Sequence, residues 1–215
     1  MTAVRLPAER RRGLLVPGPP GGELVATTVQ PPTHRRRGLL VHTILPVTIG
    51  GLAAVAIGAE GGTASAVMMC AAIYLAAAVI GRPNAAWWSF AAGLPLIGLG
   101  AVLDNEWVTL VVLGLAQAVL FVVGLRRGSW TQRHNRRQLG AAVGFGTLAV
   151  VIGAATAGGG FTVIASALVI AGLVGHALWD SIHHHRDVVV SRSYSAFCAG
   201  LDAALAVVVI ISILA

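Results

Sequence analysis

Residues 160–185 read GFTVIASALVIAGLVGHALWDSIHHH, and this stretch indicates the class of protein more clearly than any other. A run of apolar and small residues leads into three histidines, and Arg186 follows them. A transmembrane helix needs about 20 predominantly apolar residues. The stretch therefore predicts a membrane span over residues 160–179, with polar groups at one end of it.

The composition of the whole chain supports a membrane protein. Of 215 residues, 56% are hydrophobic and 11% are charged, whereas a soluble domain carries about 25% charged residues. The net charge of +7 comes from arginines in a tail and in short connections, so we expect no nucleic-acid partner. Lysine is absent, which excludes a retinal Schiff base. The usage of alanine, valine and glycine suggests a bacterial chain, and hence the inner (plasma) membrane.

The spacing of the apolar runs predicts an all-α, polytopic membrane protein, a seven-transmembrane-helix bundle. The expected spans are residues 39–58, 63–81, 86–103, 107–125, 140–157, 160–179 and 195–214. With this count every arginine falls on one side of the membrane, and basic connections stay cytoplasmic. The amino terminus is then cytoplasmic and the carboxyl terminus outside.

The first residues differ in kind from the rest. Residues 1–38 are rich in arginine, proline and glycine, and the run Pro17–Gly22 cannot continue a helix. We expect a disordered cytoplasmic tail over 1–38 and a transmembrane domain over 39–215. Within that domain, Gly50 and Ala54 are four residues apart, a spacing that lets membrane helices approach closely.

Ionisable side chains within spans are expensive, so they usually face a partner or a cavity. On a helix, with 100° per residue, His176, Asp180 and His183 share one face, and His184 lies at its edge. Asp202 lies inside the next span, which is an antiparallel neighbour. His42 lies about one turn into the first span. These groups are expected at similar depth, near the cytoplasmic side.

Imidazole and carboxylate groups together are typical ligands of iron, zinc, copper or manganese. Iron or zinc fits this set best. Asp202 is the candidate catalytic residue, or it orients a histidine ligand through a hydrogen bond without binding the metal itself. The alternatives are structural: adjacent histidines cap helix ends, His42 is a packing residue, and Arg186 or Arg192 pairs with Asp202. The candidate metal ligands are His176, Asp180, His183, His184 and His42.

The pattern His176-x-x-Trp179-Asp180-x-x-His183-His184, followed by Cys198-x-x-x-Asp202, resembles one found in small, uncharacterised multi-pass bacterial membrane proteins. It is also distantly similar to the histidine boxes of membrane di-iron hydroxylases and desaturases, and to membrane carotenoid-cleaving dioxygenases. Those families use several histidine clusters, whereas this chain has one cluster and seven histidines in all. The resemblance implies a shared site, and any iron in it would be mononuclear or rich in carboxylate ligands.

Three functions remain open from the sequence. The first is a metal-dependent enzyme that acts on a lipid, an isoprenoid or another apolar small molecule from the bilayer. The second is a carrier that moves a proton, a metal ion or a small solute through Asp202 and the histidines. The third is a non-catalytic membrane subunit or scaffold, in a homo- or hetero-oligomer, whose polar cluster holds helices together.

Overall fold

The computed structural model describes residues 38–57, 63–157 and 163–215, and these residues form helices without a β-strand. A π-helical turn, Leu40–Ile44, leads into the first α-helix, and a short 3-10 turn, Ser129–Thr131, precedes the fifth. The α-helices are α1 Leu45–Ile57, α2 Thr63–Ile80, α3 Ala85–Val102, α4 Glu106–Arg126, α5 Arg133–Thr156, α6 Val163–Arg186 and α7 Arg192–Leu214. The expected tail lies, apart from Gly38, outside the described residues.

Five of these helices, α3 to α7, are long and apolar enough to cross a membrane. Helices α1 and α2 are shorter apolar helices. Their side chains bury little polar surface, and a helix that is apolar on every side belongs in a core or in a lipid bilayer. The described chain is therefore an all-helical protein with the composition of a membrane bundle.

Two helices extend beyond the predicted spans at the same end of the bundle. Helix α5 begins at Arg133 rather than at residue 140, and α6 continues to Arg186 rather than ending at residue 179. The added turns contain Asn135, Gln138 and His183, which are all buried. The spans predicted from apolarity alone are shorter than the helices. The helices continue through these polar residues because their side chains form hydrogen bonds inside the bundle.

Helix α2 is the centre of the bundle. Its residues are buried almost without interruption from Ala64 to Val79, and it packs against α3, α4, α5 and α6. This environment explains why the helix shows no amphipathic pattern. Any polar side chain on α2 therefore faces other helices, and Cys70 and Tyr74 are the two that matter below.

Helix α1 packs mainly against α7, at the far end of the described chain. A Cβ atom added to Gly50 would meet the carbonyl oxygen of Phe197, and one added to Gly200 would meet the carbonyl oxygen of Val47. Ala54, one turn after Gly50, is fully buried. Small residues on both helices thus allow backbone to contact backbone, which agrees with the spacing seen in the sequence.

Candidate metal centre in the α2–α6–α7 core

Helix α6 places two candidate ligands side by side in the core. His176 and Asp180 are one turn apart, and His176 Nδ1 lies 3.2 Å from Asp180 Oδ2. Their exposed fractions are 3% and 0%. A group of this kind is costly inside a bilayer unless it is paired, so the close approach of base and acid is what permits both to be buried.

Helix α7 supplies a second carboxylate to the same imidazole. His176 Nδ1 donates a hydrogen bond to Asp202 Oδ2 over 2.7 Å, and Asp202 is 2% exposed. Helix α7 begins at Arg192, with the Ser191 hydroxyl accepting from the backbone N–H of Tyr194. Asp202 is ten residues beyond that start, or about 15 Å along the helix axis, so the centre lies deep in the bundle.

Helix α2 closes the third side of the cluster. The Cys70 thiol lies 4.0 Å from Asp202 Oδ1. One turn later, the Tyr74 hydroxyl donates a short hydrogen bond to Asp180 Oδ1. Cys70, His176 and Asp202 each offer a ligand atom within 4.8 Å of the others, and all three side chains are buried. We call these three residues, with Asp180, the core cluster.

Two buried oxygen atoms near the core cluster lack ordinary hydrogen-bond partners. Asp180 Oδ2 forms no hydrogen bond and is left with its ionic contact to His176. The Tyr194 hydroxyl forms none of ordinary geometry either, although the Cys198 thiol is close enough to interact weakly with it. A carboxylate oxygen that is buried without a donor is expensive, and it is available to a metal ion.

His183 is buried next to the core cluster but is bonded elsewhere. Its Nδ1 donates to the backbone carbonyl of Trp179 over 2.8 Å, and its Nε2 accepts from Gln138 Nε2 over 2.7 Å. The Gln138 carbonyl oxygen in turn accepts from the Trp179 indole over 3.3 Å. Both ring nitrogens of His183 therefore have partners that fix its tautomer, and the triangle ties α5 to α6.

The remaining predicted ligands lie away from the core cluster. His42 is exposed on the π-helical turn, and Thr43 beside it contacts His184 Nε2 over 3.2 Å. His184 Nδ1 bonds to the carbonyl of Arg192 over 3.0 Å, which links the end of α6 to the start of α7. His42 thus does not join His176, because the wide turn before Pro46 directs its neighbour Thr43 toward α6.

Among the described residues, Asp202 does not pair with an arginine. Arg192 forms its ion pair with Asp187 over 3.2 Å, and both side chains are about half exposed. Asp187 follows the end of α6 and has a positive φ of 52°, so it is turned away from the face that it would share with Asp180 on a continuous helix. The partner of Asp202 is His176, so its carboxylate belongs to the core cluster rather than to an ion pair with an arginine.

Three residues of this region are not among the candidates from the sequence: Cys70, Tyr74 and Gln138. The Cys70 thiol nevertheless lies 4.0 Å from Asp202 Oδ1. Cys70 and Tyr74 are four residues apart on an otherwise apolar helix, a spacing that puts both on one face. Gln138 lay outside the expected span. This pair, Cys70 and Tyr74, stands alone in a helix that is otherwise apolar on all sides. It is the signal in the sequence that could have indicated α2 as the third side of the core cluster.

Comparisons with models of protein families, with curated proteins and with solved structures give no match. The core cluster itself is therefore the basis for a functional proposal.

Proposed function

We propose that this protein is an integral membrane protein that binds one divalent transition-metal ion, most simply zinc, in the core cluster. A thiolate, an imidazole and carboxylates form a donor set that zinc accepts in four-coordinate sites. Cys70, His176 and Asp202 supply three donors that converge from three helices. We assign the fourth donor to Asp180 Oδ2, which is buried and lies 3.2 Å from His176 Nδ1.

The single observation behind this proposal is the convergence of these donors at nearly complete burial. Their exposed fractions lie between 0% and 5%. Closed sites with four protein ligands hold their ion, whereas catalytic zinc sites keep an open position. The burial therefore favours an ion that is held or carried over one that meets a lipid or isoprenoid substrate, although the enzymatic use expected from the sequence would need the same ligands.

The proposal includes the topology that the arginines support. All seven helices cross the inner membrane of a bacterial cell, the arginine-bearing connections are cytoplasmic, and the carboxyl terminus is outside. In this topology Asp180 lies six residues from the cytoplasmic end of α6, and Cys70 and Asp202 each lie ten residues from the cytoplasmic ends of α2 and α7. The core cluster then lies between the middle of the bilayer and its cytoplasmic side. His42, His183 and His184 are not ligands in this proposal.

The test is the metal content of detergent-purified protein after equilibration with zinc and removal of the excess. We expect about one zinc per chain in the unaltered protein, and less than a tenth of that in His176→Ala and in Cys70→Ser. His185→Ala is the matched control, because that histidine is exposed at the end of α6 and its loss should leave the zinc content unchanged.

Folding must be monitored in the same samples, by circular dichroism and by elution as a single species in size-exclusion chromatography. A folded unaltered protein that holds no zinc, iron, copper or manganese would overturn the proposal. Full zinc content in folded His176→Ala would overturn it equally.

A further inference from the structure

We infer that the metal ion enters and leaves the core cluster from one end of the bundle only, along a line of buried polar side chains between α2, α5 and α6. This inference rests on the proposed function, because it concerns access to the same site. We call this line the polar seam; it consists of Asn135, Gln138, His183 and Tyr74. Each of these side chains is 5% exposed or less.

The polar seam begins at a cavity of about 320 Å³ at the end of the bundle. The end of α2, the α4–α5 connection, the start of α5 and Val189 line this cavity. His134 and Asn135 are both among its lining residues. Asn135 leads inward, since its amide nitrogen donates to the carbonyls of Ser129 and of Ala78 on α2 over 3.0 and 3.4 Å.

The next steps are hydrogen-bonded or in ring contact. Gln138 is one turn further along α5 and contacts His183 Nε2 over 2.7 Å. The His183 ring meets the Tyr74 ring edge-on, with centroids 5.0 Å apart, and the Tyr74 hydroxyl bonds to Asp180. Contacts therefore link Gln138 to the core cluster, and Asn135 lies one turn before Gln138 on the same helix, at the cavity.

Imidazoles along this line are suited to the stepwise transfer of a metal ion. His134 lies at the cavity, His183 lies midway, and His176 belongs to the core cluster. Neutral imidazole is a ligand for zinc and other transition metals. His183 can accept an ion at Nε2 once the Gln138 amide nitrogen moves away, and the Gln138 amide then remains a polar neighbour of the ion, which leucine could not be.

The interior on the other side of the core cluster is mainly aliphatic. On α6 the buried residues toward that side include Leu173 and Val169, and on α7 they include Leu205 and Val209. Ser65 and Ser166 are buried there as well, at roughly 8 and 15 Å along the helix axes from Cys70 and His176. Among the described residues no histidine or cysteine lies on that side, so an ion leaving in that direction would meet only hydroxyl groups, the Gln117 amide and the Glu106 carboxylate.

Arg127 also lines the cavity, so a divalent cation meets a like charge at the entrance. Salt screens such a charge over about 10 Å at 0.1 M ionic strength. We therefore expect entry to be slow at low salt and faster as the salt concentration rises.

The decisive experiment uses zinc-loaded full-length protein in liposomes, with a membrane-impermeant chelator added outside. The chain has no lysine, so external trypsin cleaves only at arginines, and the fraction of chains it cleaves gives the fraction with the arginine-bearing end outside. We expect the zinc released to the chelator to equal that fraction. Release from the protected chains at the same rate would overturn the inference, and complete cleavage of all chains would contradict the topology instead.

A matched pair of variants tests the seam itself. Gln138→Leu puts an aliphatic side chain beside His183 and should slow zinc release at least tenfold with full zinc content after long equilibration. Gln117→Leu makes the same change on α4, where the amide contacts the carbonyl of Met68 over 3.4 Å, and should leave the rate unchanged.

Equal release rates in folded Gln138→Leu and in the unaltered protein would overturn the role of the seam. If Gln138→Leu does not fold, Asn135→Leu takes its place, and the chelator experiment on the unaltered protein still decides the sidedness. An unaltered protein without zinc refutes the proposed function before either experiment begins.

Discussion

The two halves of the bundle interior are held together by different contacts. In the half nearer the α6–α7 connection, buried carboxylate, imidazole, amide and phenol groups bond to one another across α2, α5, α6 and α7. In the other half, α6 packs through Gly172 against Leu148 and Val67, and the buried residues are mostly aliphatic. Since α6 contributes to both halves, the mean hydropathy of a helix does not distinguish a packing interior from one that contains a site.

The largest effect is expected from a comparison of a carboxylate inside the polar half with an exposed carboxylate of the α6–α7 connection. Asp180→Asn removes a charge from the core cluster and should weaken zinc binding at least a hundredfold. It should also lower the free energy of unfolding by about 3 kcal/mol, because His176 loses an ionic partner inside the protein. Zinc titration and thermal unfolding in detergent measure the two effects.

Asp187→Asn is the control for that change. Asp187 has the same chemistry, but its ion pair with Arg192 is half exposed, and such pairs contribute about 0–1 kcal/mol. Asparagine also tolerates the positive φ at this position. We expect a change of less than about 0.5 kcal/mol and normal zinc binding. Equal effects of the two variants would show that the interior position of Asp180 does not matter.

A smaller effect is expected at the contact between α1 and α7, where close packing of the two backbones takes the place of hydrogen bonds between polar side chains. Gly50→Ala places a methyl group against the carbonyl of Phe197, and overpacking of this kind costs about 1–3 kcal/mol. The matched Gly98→Ala has open space for its methyl group and should keep or slightly raise the stability. Thermal unfolding of both variants measures the difference, and a Gly50→Ala protein as stable as the unaltered one would show that α1 and α7 can separate without cost.

The smallest expected effect is the difference between phenylalanine substitutions at two buried tyrosines, Tyr74 and Tyr194. Tyr74→Phe removes the hydroxyl that bonds to Asp180 and should lower the free energy of unfolding by about 1 kcal/mol. It should also weaken zinc binding about tenfold, as is usual for groups that orient metal ligands.

Tyr194→Phe removes a hydroxyl without an ordinary hydrogen bond, so its stability should stay the same or rise. Isothermal titration with zinc and thermal unfolding compare the two proteins. A loss of affinity in Tyr194→Phe and none in Tyr74→Phe would reverse the assignment of the two hydroxyls.

Much of the architecture could be predicted from the apolar runs, since each predicted span overlaps an α-helix of the structure. The meeting of His176 with Asp202 could be anticipated as well, because a short connection makes α6 and α7 antiparallel neighbours. The contribution of α2 as the third side of the core cluster could not be predicted. Which helix lies beside α6 depends on packing between distant segments, and local spacing contains no information about it, so Cys70 and Tyr74 could not be assigned to the site.

His42 is the opposite case, because the sequence grouped it with the site and the structure places it away from the core cluster. Its depth in the first span suggested that it belonged with the other ionisable groups, but position along a helix does not fix the direction of a side chain when the helix is irregular. The π-helical turn Leu40–Ile44 changes the angle between successive residues. His42 is therefore exposed, while Thr43 contacts His184.

The glycine contact between α1 and α7 has a consequence for biosynthesis. Translation proceeds from the amino terminus at about 5–20 residues per second, so Gly50 leaves the ribosome roughly 10–30 s before Gly200 does. During that interval α1 has no counterpart for its glycine surface and must be sheltered by lipid or by the insertion machinery. Because Asp202 is on the same late helix, the proposed metal site cannot be complete until that delay has ended.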